Sequence, residues 1–389
     1  MRIAVVGAGL MGPTIAMDCV ENEEVDEVLL IDVDMVSLGK AAESLGLPSK
    51  LKTLVQDVTD REGLVNSLKG YDVACIALSK WLNVEATWGA IEAAVNVVDL
   101  SEPARRDWER INNAARKAAV TVIPGCGLEP GLTEMLAAYG MDMLDSINAV
   151  NIWCGGIPQD PQPPLDYKIV YGGPYLPLQP GGVKIIEDGE VREARRYAQS
   201  GPVRFEGVEK ALECYFDRFP ETLYEIEKFE GVKECANRTV RYAGYCDKVK
   251  FLEECGLLSR EAVEFKDRNI IPFEIFSKII YPKVRMNEGE KDITVLRVIV
   301  EGIKEGGEAC HVFDMVDFYD ENRSITSMAR TTSYTAAIVA RMLGRGDISE
   351  KGLVPPARII RGNFFHKLLK ELDKNGVKVT ETLTTRSYL

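Results

Sequence analysis

Six residues, Gly7-Ala8-Gly9-Leu10-Met11-Gly12, follow directly on the short apolar run Arg2–Val6 and lead into a stretch, residues 13–21, that suits a helix. Few local patterns constrain a fold as tightly. The three glycines of G-x-G-x-x-G serve a tight turn, a close backbone approach to a pyrophosphate, and close packing of helix on strand. The phosphates then sit on a helix amino terminus. A second apolar run, residues 27–31, ends in Asp32, twenty positions after Gly12. An acid at that point hydrogen-bonds an adenosine ribose and repels a 2′-phosphate, which favours NAD over NADP.

The alternation of strand and helix continues. Residues 51–55, 71–78, 95–100 and 119–123 read as further buried strands, and residues 61–68 as a helix. Short continuous apolar strands alternating with helices predict a doubly wound parallel sheet of the Rossmann kind. Ligands bind beyond the carboxyl ends of such strands. The expected cofactor contacts are therefore Gly7, Gly9, Leu10, Met11 and Gly12 in the loop, and Asp32 and Val33 after the second strand. Asp57 and Val58 follow the third strand, and Ala77 and Leu78 the fourth.

The texture changes after Gly125. Residues 148–154 and 166–171 read as strands around a proline-rich connection. Residues 183–191 and 292–319 read as hairpins, and residues 206–265 as mostly helical. Hairpins point to a second α/β domain with a mixed or antiparallel sheet. Helical patterns return at 327–343 and 363–375. The expected division is 1–125 for the nucleotide domain, 126–325 for an inserted substrate and oligomerisation domain, and 326–389 for a helical part returning to the first.

Composition narrows the partners. Sixty acidic residues against 47 basic ones give a formal charge of −13, which argues against nucleic acid or an anionic membrane surface. No apolar run reaches the ~18 residues of a membrane span, and the chain enters its first strand at once, so neither a signal peptide nor a membrane is expected. Nine scattered cysteines without a CxxC pair read as reduced thiols of a cytoplasmic protein, with no metal site. Of the two histidines, His366 falls on the polar face of a helix and His311 in a hairpin without partners. A histidine-based mechanism is not expected.

Four segments resemble the saccharopine dehydrogenase/reductase superfamily, in that superfamily's order. They are Gly127-Leu128-Glu129-Pro130-Gly131-Leu132; Cys154-Gly155-Gly156-Ile157-Pro158 with Pro164-Leu165-Asp166-Tyr167-Lys168; Thr239-Val240-Arg241-Tyr242-Ala243-Gly244; and Ser327-Met328-Ala329-Arg330 through Ala336-Ala337-Ile338. The stretch from Gly155 to Ile169 is most similar to the superfamily's lysine-oxidising members. The resemblance implies an NAD-dependent oxidoreductase acting on the side-chain amine of an amino acid, assembled as a homodimer or higher homo-oligomer. Saccharopine reduction, a carboxynorspermidine-type reaction and a non-catalytic dinucleotide-binding regulator stay open beside it.

Such chemistry needs a carboxylate anchor and a proton acceptor. Arg241 presents the planar fork that matches a carboxylate, with Tyr242 beside it in the same motif. Lys168, Glu129 and Asp99 are the candidates for proton transfer: a lysine in a specific motif, a carboxylate in a Gly/Pro loop, and an acid ending a parallel strand. In a regular strand Tyr167 and Lys168 point to opposite faces, so Tyr167 is assigned to substrate contact and Lys168 to proton work. Cys154 matches a superfamily cysteine near the substrate.

Overall fold

Strands that are apolar along their whole length are buried on both faces, and a parallel sheet is the architecture that covers both. In the computed structural model all six amino-terminal runs form that sheet. The structure describes residues 1–79, 82–172, 176–178, 181–197 and 199–386. The strands are β1 (Arg2–Val6), β2 (Glu27–Asp32), β3 (Leu51–Val55), β4 (Val73–Ile76), β5 (Asn96–Asp99) and β6 (Thr121–Ile123). They lie side by side as β3-β2-β1-β4-β5-β6, all parallel, and the two-residue strand Gly352–Leu353 extends the β6 edge. The strand order reverses between β1 and β4, which opens the crevice where doubly wound folds take their ligands. The expected helices are present at Gly12–Glu21 and Arg61–Leu68. One core packs Ala4, Val6 and Ile31 of the sheet against Leu64, Leu68, Ala90 and Ile111 of its helices.

By its internal contacts the chain divides into two units. The first comprises Met1–Tyr139, Thr222–Ile226 and Ala329–Lys378; the second comprises Gly140–Glu221, Glu227–Met328 and the chain from Val379 onward. The first unit thus runs past the expected break after residue 125, and the strand Thr380–Arg386 pairs in the second unit's sheet instead of returning to the first.

That second sheet contains β7 (Ser146–Pro158), β8 (Gly182–Glu187), β9 (Glu190–Arg195), β10 (Gln199–Val203), β11 (Leu212–Phe216), β12 (Glu234–Tyr242), β13 (Asp292–Lys304), β14 (Gly307–Phe318) and β15 (Thr380–Arg386). The order is β10-β11-β12-β7-β13-β14-β15, with the β8–β9 hairpin attached to β12. The β12–β7 pair is parallel and the others are antiparallel, so the sheet is mixed. Two hairpins turn where the sequence placed them, through Asp188-Gly189 and Glu305-Gly306, all four residues at positive φ. Positive φ at both central residues matches the twist of the flanking strands.

Two sequence expectations fail here. Residues 206–265 are not mostly helical: they supply β11 and β12, and Tyr245–Glu254 is their one α-helix among the described residues. The run Cys235–Tyr242 contains the strand-favouring residues Thr239, Val240 and Tyr242, and pairing on both sides holds it extended. Residues 166–171 form no strand. Asp166 sits at a φ of 51°, and only a single bridge joins Ile169 to Arg285.

Helices near the carboxyl terminus form as expected, at Ser327–Gly344 and Asn363–Lys374. Within the first unit, Arg341 pairs with Asp18 and Glu371, joining the longer helix to Gly12–Glu21. The amino terminus of Ser327–Gly344 is capped by Asp292, which is fully buried; its two carboxylate oxygens accept from Ser327 N–H at 2.6 Å and Met328 N–H at 2.9 Å. Burial pushes this carboxyl up to about 6 in spite of the two donors. Removing the cap strands both N–H groups. Asp292→Ala should lower the unfolding free energy by about 2 kcal/mol in urea titration, and Asp292→Asn by less, because an amide oxygen still accepts one of them.

Candidate active site

In the first unit the glycine loop is shaped by backbone contact. Gly7 has a φ of 112°, and its N–H donates to Ile31 O at 2.7 Å. A Cβ on Gly7 would lie 2.5 Å from Ala77 O, and one on Gly12 would lie 1.7 Å from Gly7 O. Gly7, Gly12, Ala77 and Leu78 are therefore brought together, with Leu78 Cδ2 3.2 Å from the same Gly7 position. Gly9 is different: nothing lies within 4 Å of where its Cβ would be. That open face, over a helix amino terminus with no side-chain cap, is what a pyrophosphate requires. The residues fit a dinucleotide. Ser333, which the sequence reading did not single out, donates from its hydroxyl to Met11 O at 2.9 Å and braces the loop from behind.

Asp32 stands at the end of β2 as expected. One carboxylate oxygen accepts from Ala8 N–H at 2.6 Å and the other from Asp34 N–H at 2.9 Å. Each oxygen retains a lone-pair site for a ribose hydroxyl. Asp34 caps the helix Met35–Ser44 through Val36 and Ser37. Val33 is exposed beside them and Leu10 is exposed on the loop, whereas Met11 is buried. After β3, Asp57 accepts from Thr59 N–H and Oγ1, and the backbone donor leads in holding its carboxyl below the usual range. The Val58 side chain is packed in the core, so that residue has only its backbone to offer a cofactor.

The proton-transfer candidates separate. Asp99 is 1% exposed, with Asn83 Nδ2 at 2.8 Å and Ser101 N at 2.8 Å. Burial pushes it up to about 7 against those donors, and nearby Glu102 adds to the rise. Its carboxyl is enclosed by its own unit, which suits a group that holds the β5 loop and Asn83 in place. Lys168 is not a free amine: its Nζ pairs with Glu290 at 2.7 Å and donates to Arg285 O at 3.4 Å. Burial alone would raise Glu290, but Lys168 and the Asn287 N–H outweigh it and hold the carboxyl below its ordinary value. Glu129 is only partly buried, in the loop closed by Gly127 N–H to Pro130 O at 2.9 Å.

In the second unit Arg241 lies on β12, opposite Glu213 of β11. Side chains of paired residues share a face, so Arg241, Thr239, Glu213, Tyr215 and Cys154 belong to one face of the sheet. Tyr242 belongs to the other, because consecutive strand residues alternate. Its hydroxyl donates to Pro158 O at 2.7 Å, its ring packs with Val240, Ile157 and Phe205, and burial pushes it up to about 12. Tyr242 is thus a core residue and not a substrate contact. Tyr167 does reach Arg241, with the guanidinium carbon 4.5 Å from its ring centre. Two tyrosines that the sequence did not reveal join it: Tyr245 at 5.7 Å and Tyr215 at 6.0 Å.

Arg241 is 1% exposed. It donates to Val240 O at 2.7 Å and pairs with no carboxylate among the described residues. The two acids that share its surroundings are engaged elsewhere. Glu213 accepts from Cys246 N–H at 2.6 Å, and Asp217 pairs with Arg196 and accepts from Thr239 Oγ1 at 2.8 Å. A buried guanidinium without a counter-ion, walled by aromatic rings, is a site for an anionic group.

Comparison with known proteins agrees with both halves. Residues 3–123 match the saccharopine dehydrogenase NADP binding domain, and residues 127–377 match the saccharopine dehydrogenase C-terminal domain. The chain belongs to the saccharopine dehydrogenase family. Alpha-aminoadipic semialdehyde synthase of Bos taurus is 24% identical over 99% of this chain and 48% of its own length, so the chain spans about half of that relative. Carboxyaminopropylagmatine dehydrogenase of Synechocystis is 21% identical over 94% of this chain and 95% of its own. The fold is that of apo saccharopine dehydrogenase (L-Glu forming) from Saccharomyces cerevisiae, with a TM-score of 0.78 at 20% identity over 98% and 99% of the two chains. Among the described residues, no helix of this family member is long and apolar enough to cross a membrane.

Asp99 yields a measurable signature. A carboxyl raised to about 7 in the fold and near 4 when unfolded binds an extra proton in the native state between those values. Stability then falls as pH rises through that window, with a slope of up to about 1.4 kcal/mol per pH unit. Asp99→Asn should flatten that fall in urea titrations at pH 5, 6 and 7.5; an unchanged slope would show that Asp99 is not its source.

Proposed function

We propose that this family member is an NAD-dependent L-lysine 6-dehydrogenase, which oxidises the side-chain amine to 2-aminoadipate 6-semialdehyde and releases ammonia. The observation that carries the reading is Arg241, a buried cation whose acidic neighbours are paired with other groups, so that one substrate carboxylate completes it. NAD, when bound, supplies the hydride acceptor. The ammonium loses a proton, a hydride leaves C6, and water adds to the resulting imine to give aldehyde and ammonia. The semialdehyde then cyclises with its own 2-amino group. Glu129, Asp99 and Lys168 are the candidate acceptors for that proton; Asp99 is enclosed and Lys168 is paired with Glu290. The assembly expected is a homodimer or higher homo-oligomer in the cytoplasm.

Although the matching family domain carries NADP in its name, Asp32 and Asp34 favour NAD here. A 2′-phosphate beside β2 would face two carboxylates at short range. A second reading rests on length: the Synechocystis carboxyaminopropylagmatine dehydrogenase matches along nearly all of its chain, which favours a carboxyalkylated polyamine as the alternative substrate.

Purified protein with NAD should reduce the cofactor, followed by absorbance, in the presence of L-lysine. Turnover of saccharopine or of a carboxyalkyl polyamine alone would replace the lysine reading. NAD binding without turnover of any amine would indicate a regulator. Arg241→Met should raise the lysine KM by about thirtyfold or more, the loss expected for one partner of a buried charge pair, while leaving the NAD KM in place. Asp32→Ala should shrink the preference for NAD over NADP roughly tenfold, the effect of removing one repulsive charge at a partly exposed site.

A further inference from the structure

The tyrosines around Arg241 carry more than packing. Tyr167 and Tyr245 are each 1% exposed, and among the described residues neither hydroxyl has a hydrogen-bond partner; Arg241 Nε is buried without one there as well. An unmet buried hydroxyl costs about 1–3 kcal/mol, so three such donors gathered around one cation are a strong physical sign of a missing acceptor. Stabilisation of the rings explains how the arrangement survives. Tyr245 stacks on Tyr215 at 5.9 Å and 17°, and it meets Tyr167 edge-on at 5.9 Å and 68°. Tyr245 is also fixed from behind. Gly244, at a φ of 93°, turns the chain from β12 into the helix Tyr245–Glu254, and Glu213 holds the next N–H, that of Cys246, at 2.6 Å.

Glu213 therefore has a double effect. As the cross-strand partner of Arg241 it is the carboxylate nearest in register to neutralise it. By binding the helix start it leaves the guanidinium charge available and sets Tyr245 beside it. We propose that Arg241, Tyr167 and Tyr245 form a three-donor clamp for a single carboxylate, and that Tyr245 is a specificity-determining residue for that group. The clamp rests on the reading of Arg241 as a carboxylate anchor. Its chemistry takes one carboxylate with two oxygens against the four guanidinium N–H groups that remain beside the one given to Val240 O, and two phenol O–H groups. Arg196, another buried guanidinium, is held by Asp217, so among the described residues it offers no unpaired charge to a second carboxylate.

The test is calorimetric binding to the full chain with NAD present, using L-norleucine as a probe that keeps the carboxylate and cannot be oxidised at C6. n-Hexylamine serves as the probe that lacks a carboxylate. Wild-type protein should bind norleucine and not hexylamine. Tyr245→Phe and Tyr167→Phe should each weaken norleucine roughly tenfold or more, the loss of one hydrogen bond to a charged group, with the NAD Kd unmoved. Tyr242→Phe, which removes a hydroxyl from the opposite face, should bind norleucine as wild type does. Unchanged affinity in both Tyr245→Phe and Tyr167→Phe, an equal loss in Tyr242→Phe, or no binding of norleucine to wild type would overturn the clamp. Thermal melts show that each variant is folded; should Tyr245→Phe fail to fold, Tyr167→Phe decides alone. Lysine turnover is a separate arm. Tyrosine-dependent norleucine binding without lysine oxidation keeps the clamp and removes the lysine reading, whereas lysine oxidation with an unaltered KM in Tyr245→Phe removes the clamp alone.

Discussion

A guanidinium stays charged at any pH a protein tolerates, so placing one in the interior commits the surrounding structure to dealing with the charge. Arg241 sets that requirement for the second unit. Three tyrosine rings lie against it and one backbone carbonyl accepts from it. The available carboxylates, Glu213 and Asp217, are turned to a helix terminus and to Arg196. Had either paired with Arg241, the site would be a satisfied buried ion pair with nothing left to offer. Diverting them leaves the buried charge uncompensated by a carboxylate, at the expense of stability.

The first unit solves a related problem with backbone rather than side chains. Gly7 and Gly12 pack so closely that no Cβ fits, which frees Gly9 to face open space above an uncapped helix start. Asp32 ties that loop to β2 while keeping acceptor capacity. In the first unit N–H groups are set by a chain path that the glycines dictate, and in the second a side-chain charge is set among neighbours that are held elsewhere. The two halves differ in kind, and so does their visibility in sequence.

The nucleotide half was legible because every part of it is local. Strand, glycines, helix and acid fall within about thirty residues, and the physical demands on each are strict enough to leave a pattern. Arg241 and Tyr167 were legible through their motifs. Tyr215 and Tyr245 were not, because sheet register and a helix start bring them to Arg241, and neither carries a local signal of that pairing. Tyr242 shows the opposite error. Its place beside Arg241 in the motif drew it into the site, although strand alternation sends it to the other face once Glu234–Tyr242 is known to be extended. That extension was itself hidden, since a strand paired on both sides and covered on both faces lacks the simple polar–apolar alternation that identifies an exposed one. The pairing of Lys168 was hidden for a different reason: its partner Glu290 is far along the chain, and an ion pair across such a separation leaves no trace in spacing.

The shortage of histidine sharpens the remaining question of proton transfer. A carboxylate replaces histidine as a base only where it is accessible to the substrate and ionised at working pH. Asp99 meets neither condition well: its carboxyl is enclosed, and burial raises it to about 7, so that near neutrality a large share is protonated. Lys168 is accessible only through breaking its pair with Glu290. Glu129 lies in a loop whose hydrogen bonds, Gly127 N–H to Pro130 O and Leu132 N–H to Gly127 O, fix the path of the chain on either side of it. Its side chain is only partly buried, in contrast to the enclosed Asp99.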